Sequence, residues 1–121
     1  MPLHTTVHYD GKKGPDGKLV QRGIHAKIDG FPENHGFQPE EIGRGLTAKE
    51  VPDVWKHIRE SIQESFTHVD RCYTLDGAGA IDQPTPESRE FIMSRCKAGA
   101  QLTMGLWYAA WKKSEKLPAS Y

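Results

Sequence analysis

Apolar residues recur every three or four positions between residues 51 and 73, which is the spacing of an amphipathic helix. Thr47, with Glu50 three residues later, forms a capping box that predicts where this helix begins. The pattern therefore predicts one long helix with a polar, solvated opposite face. Its apolar positions are Val51, Val54, Trp55, Ile58, Ile62, Phe66, Val69 and Tyr73.

A second long helix is predicted after a loop at residues 76–84. Thr85 is its cap, Pro86 suits its first turn, and Glu87 complements the helix dipole. The helix is expected to run to about Ser114 and to pack antiparallel to the first. Its predicted buried stripe consists of Phe91, Ile92, Arg95, Cys96, Gly99, Leu102, Leu106, Ala109 and Ala110. Trp107 and Trp111 are predicted to be buried in the core or in an interface, as large aromatic side chains usually are.

The first 45 residues have weaker patterns. Residues 5–9 alternate β-branched and aromatic side chains, which fits either a short extended segment or an irregular loop. Turn signals surround Lys12 and Lys13, and Leu19 and Val20 can pair back as a loose hairpin. A short helix carrying His25 and Asp29 is expected to end at Gly30, which tolerates a left-handed cap conformation. Residues 31–45 read as a surface connection with at most one helical turn, near Pro39.

These elements predict a mostly α single domain. Residues 1–45 form a segment with a loop or hairpin and a short helix, residues 46–114 a helical hairpin, and residues 115–121 a frayed tail. Sixteen basic and sixteen acidic residues cancel, so no single-sign field indicates a nucleic-acid or membrane surface. The sequence has no apolar run long enough to span a membrane. It also shows no signal peptide after Met1, and it assigns no compartment.

The two cysteines, Cys72 and Cys96, allow one disulfide. In the predicted antiparallel hairpin they are about 15 Å apart along the helix axis, whereas bridged Cα atoms lie within about 7 Å. Two free, buried thiols are therefore expected unless the connecting loop folds back.

Three polar residues in the first segment are candidate metal ligands. A helical turn of about 3.6 residues places His25 and Asp29 on one face, and His4 lies upstream across a loop long enough to fold back. Two imidazoles and a carboxylate are ligands that zinc accepts, and three protein ligands with an open position are typical of a catalytic zinc. The alternative is an ordinary polar pair on a helix surface. Asp10 and Asp16 are weaker candidates for additional ligands.

Three sequence pieces extend this picture: PLH at residues 2–4, GIHAKID at 23–29, and SREFIMSRCKAGAQLTMGLWYAAWKKS at 88–114. Together they resemble the second half of the S1/P1 nuclease and zinc-dependent phospholipase C superfamily. The resemblance implies a mostly helical enzyme fold with a three-zinc cluster that cleaves phosphate esters. It matches His4 to the histidine of the family's Gln-Pro-Leu-His motif, and His25 and Asp29 to its later His-x-x-x-Asp pair, which serve a single zinc.

The chain departs from the family in the ligands that should precede His4. Met1 stands where the family has glutamine, and the earlier His and Asp ligands have no counterpart, nor does the zinc-binding amino terminus. The resemblance thus implies half of an enzyme fold, as a truncated gene, a split subunit or a repurposed remnant. It also implies one zinc per chain rather than three. Members of the family are typically exported.

Two functions follow as hypotheses. The first is a zinc-dependent hydrolase acting on a phosphate ester or nucleic acid, with the missing ligands supplied by another chain. The second is a non-catalytic module that associates with itself, because half of a helical enzyme leaves apolar surface uncovered. Both predict a partner, either the missing N-terminal half or a second copy. The residues predicted at a contact between copies are Val54, Trp55, Ile58, Leu106, Trp107 and Trp111.

Overall fold

A computed structural model describes residues 1–116, and it is mostly helical, as predicted. The part of the predicted tail at residues 117–121 lies outside the described residues. In order, the elements are a 3₁₀ turn at Pro2–Thr5, strands β1 (Lys12–Lys13) and β2 (Leu19–Val20), and helices α1 (Ile24–Asn34), α2 (Pro39–Gly43), α3 (Val54–Phe66), α4 (Val69–Gly77) and α5 (Pro86–Ser114).

The hairpin predicted near the amino terminus is present. Strands β1 and β2 are antiparallel, with Lys12 opposite Val20 and Lys13 opposite Leu19. The turn between them is closed by two hydrogen bonds, from Gly14 N to Lys18 O and from Gly17 N to Gly14 O. Residues 5–9 are not extended: the 3₁₀ turn ends at Thr5, and a turn follows at residues 7–10.

Helix α1 is longer than its sequence predicts. Gly30 does not end it, and the helix continues through Pro32 to Asn34. A glycine inside a helix costs about 1 kcal/mol, which is offset here because Ile28 and Phe31 on either side are completely buried. The glycine that takes a left-handed conformation just after α1 is Gly36, with φ +71°. The single turn predicted near Pro39 is α2.

The first long helix of the prediction is two helices, α3 and α4. It does not begin at Thr47: residues 46–50 are irregular, and the actual cap is Asp53, whose side chain accepts from the Lys56 backbone N–H. The helix breaks at Thr67. The backbone N–H groups of Thr67 and His68 each donate to the carbonyl three residues earlier, which tightens the end of α3 into a 3₁₀-type turn. The chain enters the core after the break: α4 has buried residues, whereas none in Val54–Phe66 is buried.

Helix α5 begins and ends where the sequence predicts. The Thr85 side chain accepts from the Ser88 backbone N–H, and the Ser88 hydroxyl oxygen accepts from the Thr85 backbone N–H. Helices α3 and α5 run antiparallel, because Glu64 late in α3 pairs with Arg95 early in α5. At the other end, a β-carbon built on Gly105 would lie 3.1 Å from the Val51 side chain and 3.9 Å from His57 Nε2. Even an alanine at Gly105 would therefore need the Val51 side chain to shift by a few tenths of an ångström.

The hydrophobic core lies among the 3₁₀ turn, α1, α4 and the start of α5. Its buried members are Leu3, Ile24, Ile28, Phe31, Phe37, Val69, Cys72, Tyr73, Leu75, Ala80, Ile81 and Ile92. Helix α3 lies outside this cluster and packs on the 3₁₀ turn and α5. The predicted buried stripe of α5 is buried only in part, since Gly99 and Ala110 are exposed.

Both cysteines are free, as expected, with Cys72 buried and Cys96 half-buried. Burial raises the pKa of the Cys72 thiol to about 11, so this thiol stays protonated near neutral pH. Burial also raises the pKa of Cys96. Among the helices of residues 1–116, none is both long enough and apolar enough to cross a membrane.

Candidate metal centre

His4, His25 and Asp29, the three residues predicted as ligands, meet at one point on the surface. The distance from His4 Nε2 to Asp29 Oδ2 is 3.0 Å, and that from His25 Nε2 to the same oxygen is 3.2 Å. The two Nε2 atoms are 3.2 Å apart. The three atoms thus form a nearly equilateral triangle.

This triangle has the dimensions of one face of a tetrahedral zinc site. With zinc–ligand bonds of about 2.0–2.1 Å, tetrahedral ligand atoms lie about 3.3–3.4 Å apart. The three observed separations fall slightly below this value. Protons can also occupy such a triangle, since an imidazole N–H can donate to the carboxylate or to the other imidazole. A cation and protons are therefore the two chemical ways to hold these atoms together.

Helix α1 supplies two of the three ligands because of its amphipathic pattern. Ile24, Ile28 and Phe31 face the core, which leaves His25 and Asp29, one turn apart, on the outer face. Their side chains are 31% and 36% exposed. The pair can therefore bind a ligand from solvent without disturbing the core.

The third ligand is held by the 3₁₀ turn. Pro2 and Leu3 are completely buried, and the Thr5 hydroxyl donates to the Pro2 carbonyl. These contacts fix the turn on the core and leave the His4 side chain 54% exposed, towards α1. The His4 and His25 rings meet edge to face, with centroids 4.8 Å apart.

Asp10 takes a supporting position instead of a ligand position. Its Oδ1 accepts from the backbone N–H of His25, at 3.2 Å, in the first turn of α1. The neighbouring Tyr9 ring packs edge to face on the His25 ring, with centroids 5.3 Å apart. The backbone contact and the ring contact both restrain His25. Asp16 lies in the hairpin turn, where its side chain accepts from the Lys18 backbone N–H; neither aspartate joins the three-residue group.

Tyr73 of α4 anchors the loop that carries Tyr9 and Asp10. Its hydroxyl donates to the His8 carbonyl and accepts from the Gly11 backbone N–H at 3.0 Å. Tyr73 is only 3% exposed, and burial raises its pKa. The sequence predicts Tyr73 only as an apolar helix position, because no local pattern reveals a contact more than 60 residues away.

The other histidines do not join the triangle. His68 Nε2 lies 2.8 Å from Glu64 Oε1 one turn earlier, and the His35 ring packs on Phe31. In the part of the chain that the structure describes, no second group of three His, Cys, Asp or Glu residues is placed to share an ion.

The comparisons with known proteins returned no match for this chain among protein-family models, curated proteins or solved structures. The resemblance to the S1/P1 nuclease and phospholipase C superfamily therefore stays a prediction from the sequence pieces quoted above.

Proposed function

We propose that this protein binds one zinc ion per chain through His4, His25 and Asp29. The observation that carries the proposal is the triangle of ligand atoms with sides of 3.0, 3.2 and 3.2 Å, close to the tetrahedral spacing. Two imidazoles and one carboxylate leave a fourth position open. An ion held in this way can polarise a substrate oxygen or activate a bound water.

The reaction we propose for this centre is the hydrolysis of a phosphate ester, as the family resemblance implies. A single ion can stabilise one oxygen of a phosphoryl group, but in-line displacement in such enzymes normally uses two or more metals to hold both the attacking and the leaving oxygen. The described residues offer one ligand group. We therefore expect catalysis only when another chain supplies the remaining ligands.

The test is equilibrium dialysis of the purified full chain against zinc, followed by measurement of zinc per chain. We expect a ratio close to one and little or no cleavage of single-stranded nucleic acid or p-nitrophenyl phosphate esters by the chain alone. A chain that retains no zinc would contradict the metal site. Turnover by the isolated zinc-loaded chain would contradict the need for a partner.

A second candidate function, self-association, is favoured by large apolar side chains that face solvent on α3 and α5. Trp107 is 76% exposed, Trp55 75%, Trp111 57%, Phe66 55% and Ile62 51%. Trp107 and Trp111 are thus not core residues, although the sequence allows either a core or an interface position. With up to about 250 Å² for each aromatic side chain, the four aromatic residues among them expose up to about 650 Å², close to the ~800 Å² that each partner contributes to a standard interface.

We expect the chain to form a symmetric dimer, the commonest soluble oligomer, with a mass near twice 13.6 kDa. Changing both Trp55 and Trp107 to glutamate should convert it to a monomer, because two buried charges would oppose association. The matched control is Val7→Glu, since Val7 is 89% exposed and lies outside α3 and α5. Sedimentation analysis gives the masses, and a monomeric wild-type chain would rule out this candidate.

A further inference from the structure

A pocket of about 500 Å³ lies between the 3₁₀ turn, α3 and α5. Its volume is within the range of about 300–1,000 Å³ that is usual for small-molecule sites. Ile62 of α3 and Leu102 and Ala98 of α5 supply apolar lining. A pocket of this size with an apolar lining and a few polar groups suits a small molecule with an apolar body.

The pocket stays open because small residues face each other across the two helices. Ser61 and Ser65 line it from α3, and Ala98 and Gly99 from α5. A β-carbon built on Gly99 meets no atom within 4 Å. The space beside Gly99 can therefore take a larger side chain, or part of a ligand, without a clash.

The pocket and the metal centre share one residue. His4 lines the pocket, and its Nε2 is a corner of the ligand triangle. A molecule lying in the pocket would thus lie against a residue of the metal centre.

The charges around the pocket favour a single negative charge on the polar end of such a molecule. Arg95 is neutralised by Glu64, with Nη1 at 2.7 and 2.8 Å from its two carboxylate oxygens. Although desolvation opposes it, hydrogen bonding to Arg95 and His68 lowers the pKa of Glu64 and keeps it ionised. Glu60 at the rim pairs with Lys56, with Nζ 3.9 Å from Oε1. A zinc ion with Asp29 leaves one net positive charge, which one anionic group balances.

We propose that the pocket binds an apolar carboxylate, with its chain against Ile62 and Leu102 and its carboxylate at the metal ion beside His4. The proposal rests on the zinc site proposed above. It concerns a ligand that the phosphate-ester reaction does not require.

The test is calorimetric titration of octanoate into the zinc-loaded full chain, with octan-1-ol as the comparison ligand. Octanoate should bind at least about tenfold more tightly than the alcohol, because the carboxylate carries the charge that the ion attracts. Equal binding of octanoate and octan-1-ol would overturn the charge argument.

Gly99→Leu should weaken octanoate binding at least about tenfold, because its side chain occupies the space that the apolar chain needs. The matched control, Ala110→Leu, adds a similar side chain at an exposed position of α5 outside the pocket lining and should bind octanoate like the wild type. Leucine favours helix more than glycine does, so Gly99→Leu should fold and retain zinc. Octanoate binding that is unchanged by Gly99→Leu would contradict the proposal that octanoate lies in this pocket.

The two proposals fail in different ways. Zinc binding is measured first, without octanoate, so a chain that takes up no zinc contradicts the metal site directly. A chain that binds zinc but not octanoate contradicts only the ligand proposed for the pocket.

Discussion

Changing His25 to alanine is expected to weaken zinc binding by at least about 100-fold. Removing a residue that only supports a metal ligand already costs about 10–100-fold in affinity, and His25 supplies a ligand atom itself. Its loss leaves His4 Nε2 and Asp29 Oδ2, 3.0 Å apart, as a two-ligand site. Competition with a fluorescent zinc chelator measures the dissociation constants of both proteins.

The control for His25→Ala is His8→Ala. His8 is exposed and lies four residues after His4, but its side chain is outside the ligand triangle. Its replacement should leave zinc affinity unchanged, which separates the triangle from nonspecific binding by surface histidines. Equal losses in the two variants, or no loss in His25→Ala, would show that the triangle does not hold the ion.

Changing Phe31 to alanine is expected to lower the free energy of unfolding by about 3–5 kcal/mol, the usual cost of removing a buried phenyl ring. Phe31 is completely buried, and its ring contacts those of His35 and Phe37. It holds the second half of α1 on the core and therefore also the helix that carries His25 and Asp29. Urea denaturation monitored by circular dichroism gives the stability of each protein.

Phe66→Ala removes the same ring from α3, where it is 55% exposed. At protein concentrations where the chain is monomeric, this variant should lose much less stability than Phe31→Ala, because less apolar surface leaves contact with the protein. Equal losses at the two positions would mean that α3 belongs to the same core as α1, which would contradict the fold described above.

Local signals predicted the parts of the fold that depend on neighbours in sequence. The Thr85 cap with Pro86 sets the start of α5, and the turn glycines around Lys12 and Lys13 set the hairpin. The convergence of His4 with His25 and Asp29 was also predicted, from one helical turn and a loop of sufficient length. These features need only short-range geometry, so one sequence is enough to find them.

The errors arose where tertiary contacts decide between local alternatives. The Thr47 and Glu50 pair has the sequence of a capping box, yet the chain begins α3 at the Asp53 cap. Gly30 is a typical helix-ending residue, but α1 continues beyond it because burial of Phe31 stabilises the helical conformation there. The apolar repeat from Val51 to Tyr73 suggests one helix, because the pattern shows which residues are apolar but not which of them the core can reach.

The site beyond the three ligands was also hidden from the sequence. Tyr73 fixes the loop that carries Tyr9 and Asp10 through contacts with His8 and Gly11, and nothing near Tyr73 in sequence indicates this. The pocket beside His4 likewise depends on small residues of α3 and α5 meeting across a helix pair. Such long-range pairings emerge only once the packing of the helices is known.

X-ray absorption at the zinc edge of the loaded wild-type chain tests the central claim most directly, since it reports the atoms bound to the ion. We predict a first shell of nitrogen and oxygen at about 2.0–2.2 Å from zinc, with the outer-shell scattering of two imidazole rings. A spectrum with sulfur in the first shell, or without imidazole scattering, would contradict a centre built from His4, His25 and Asp29.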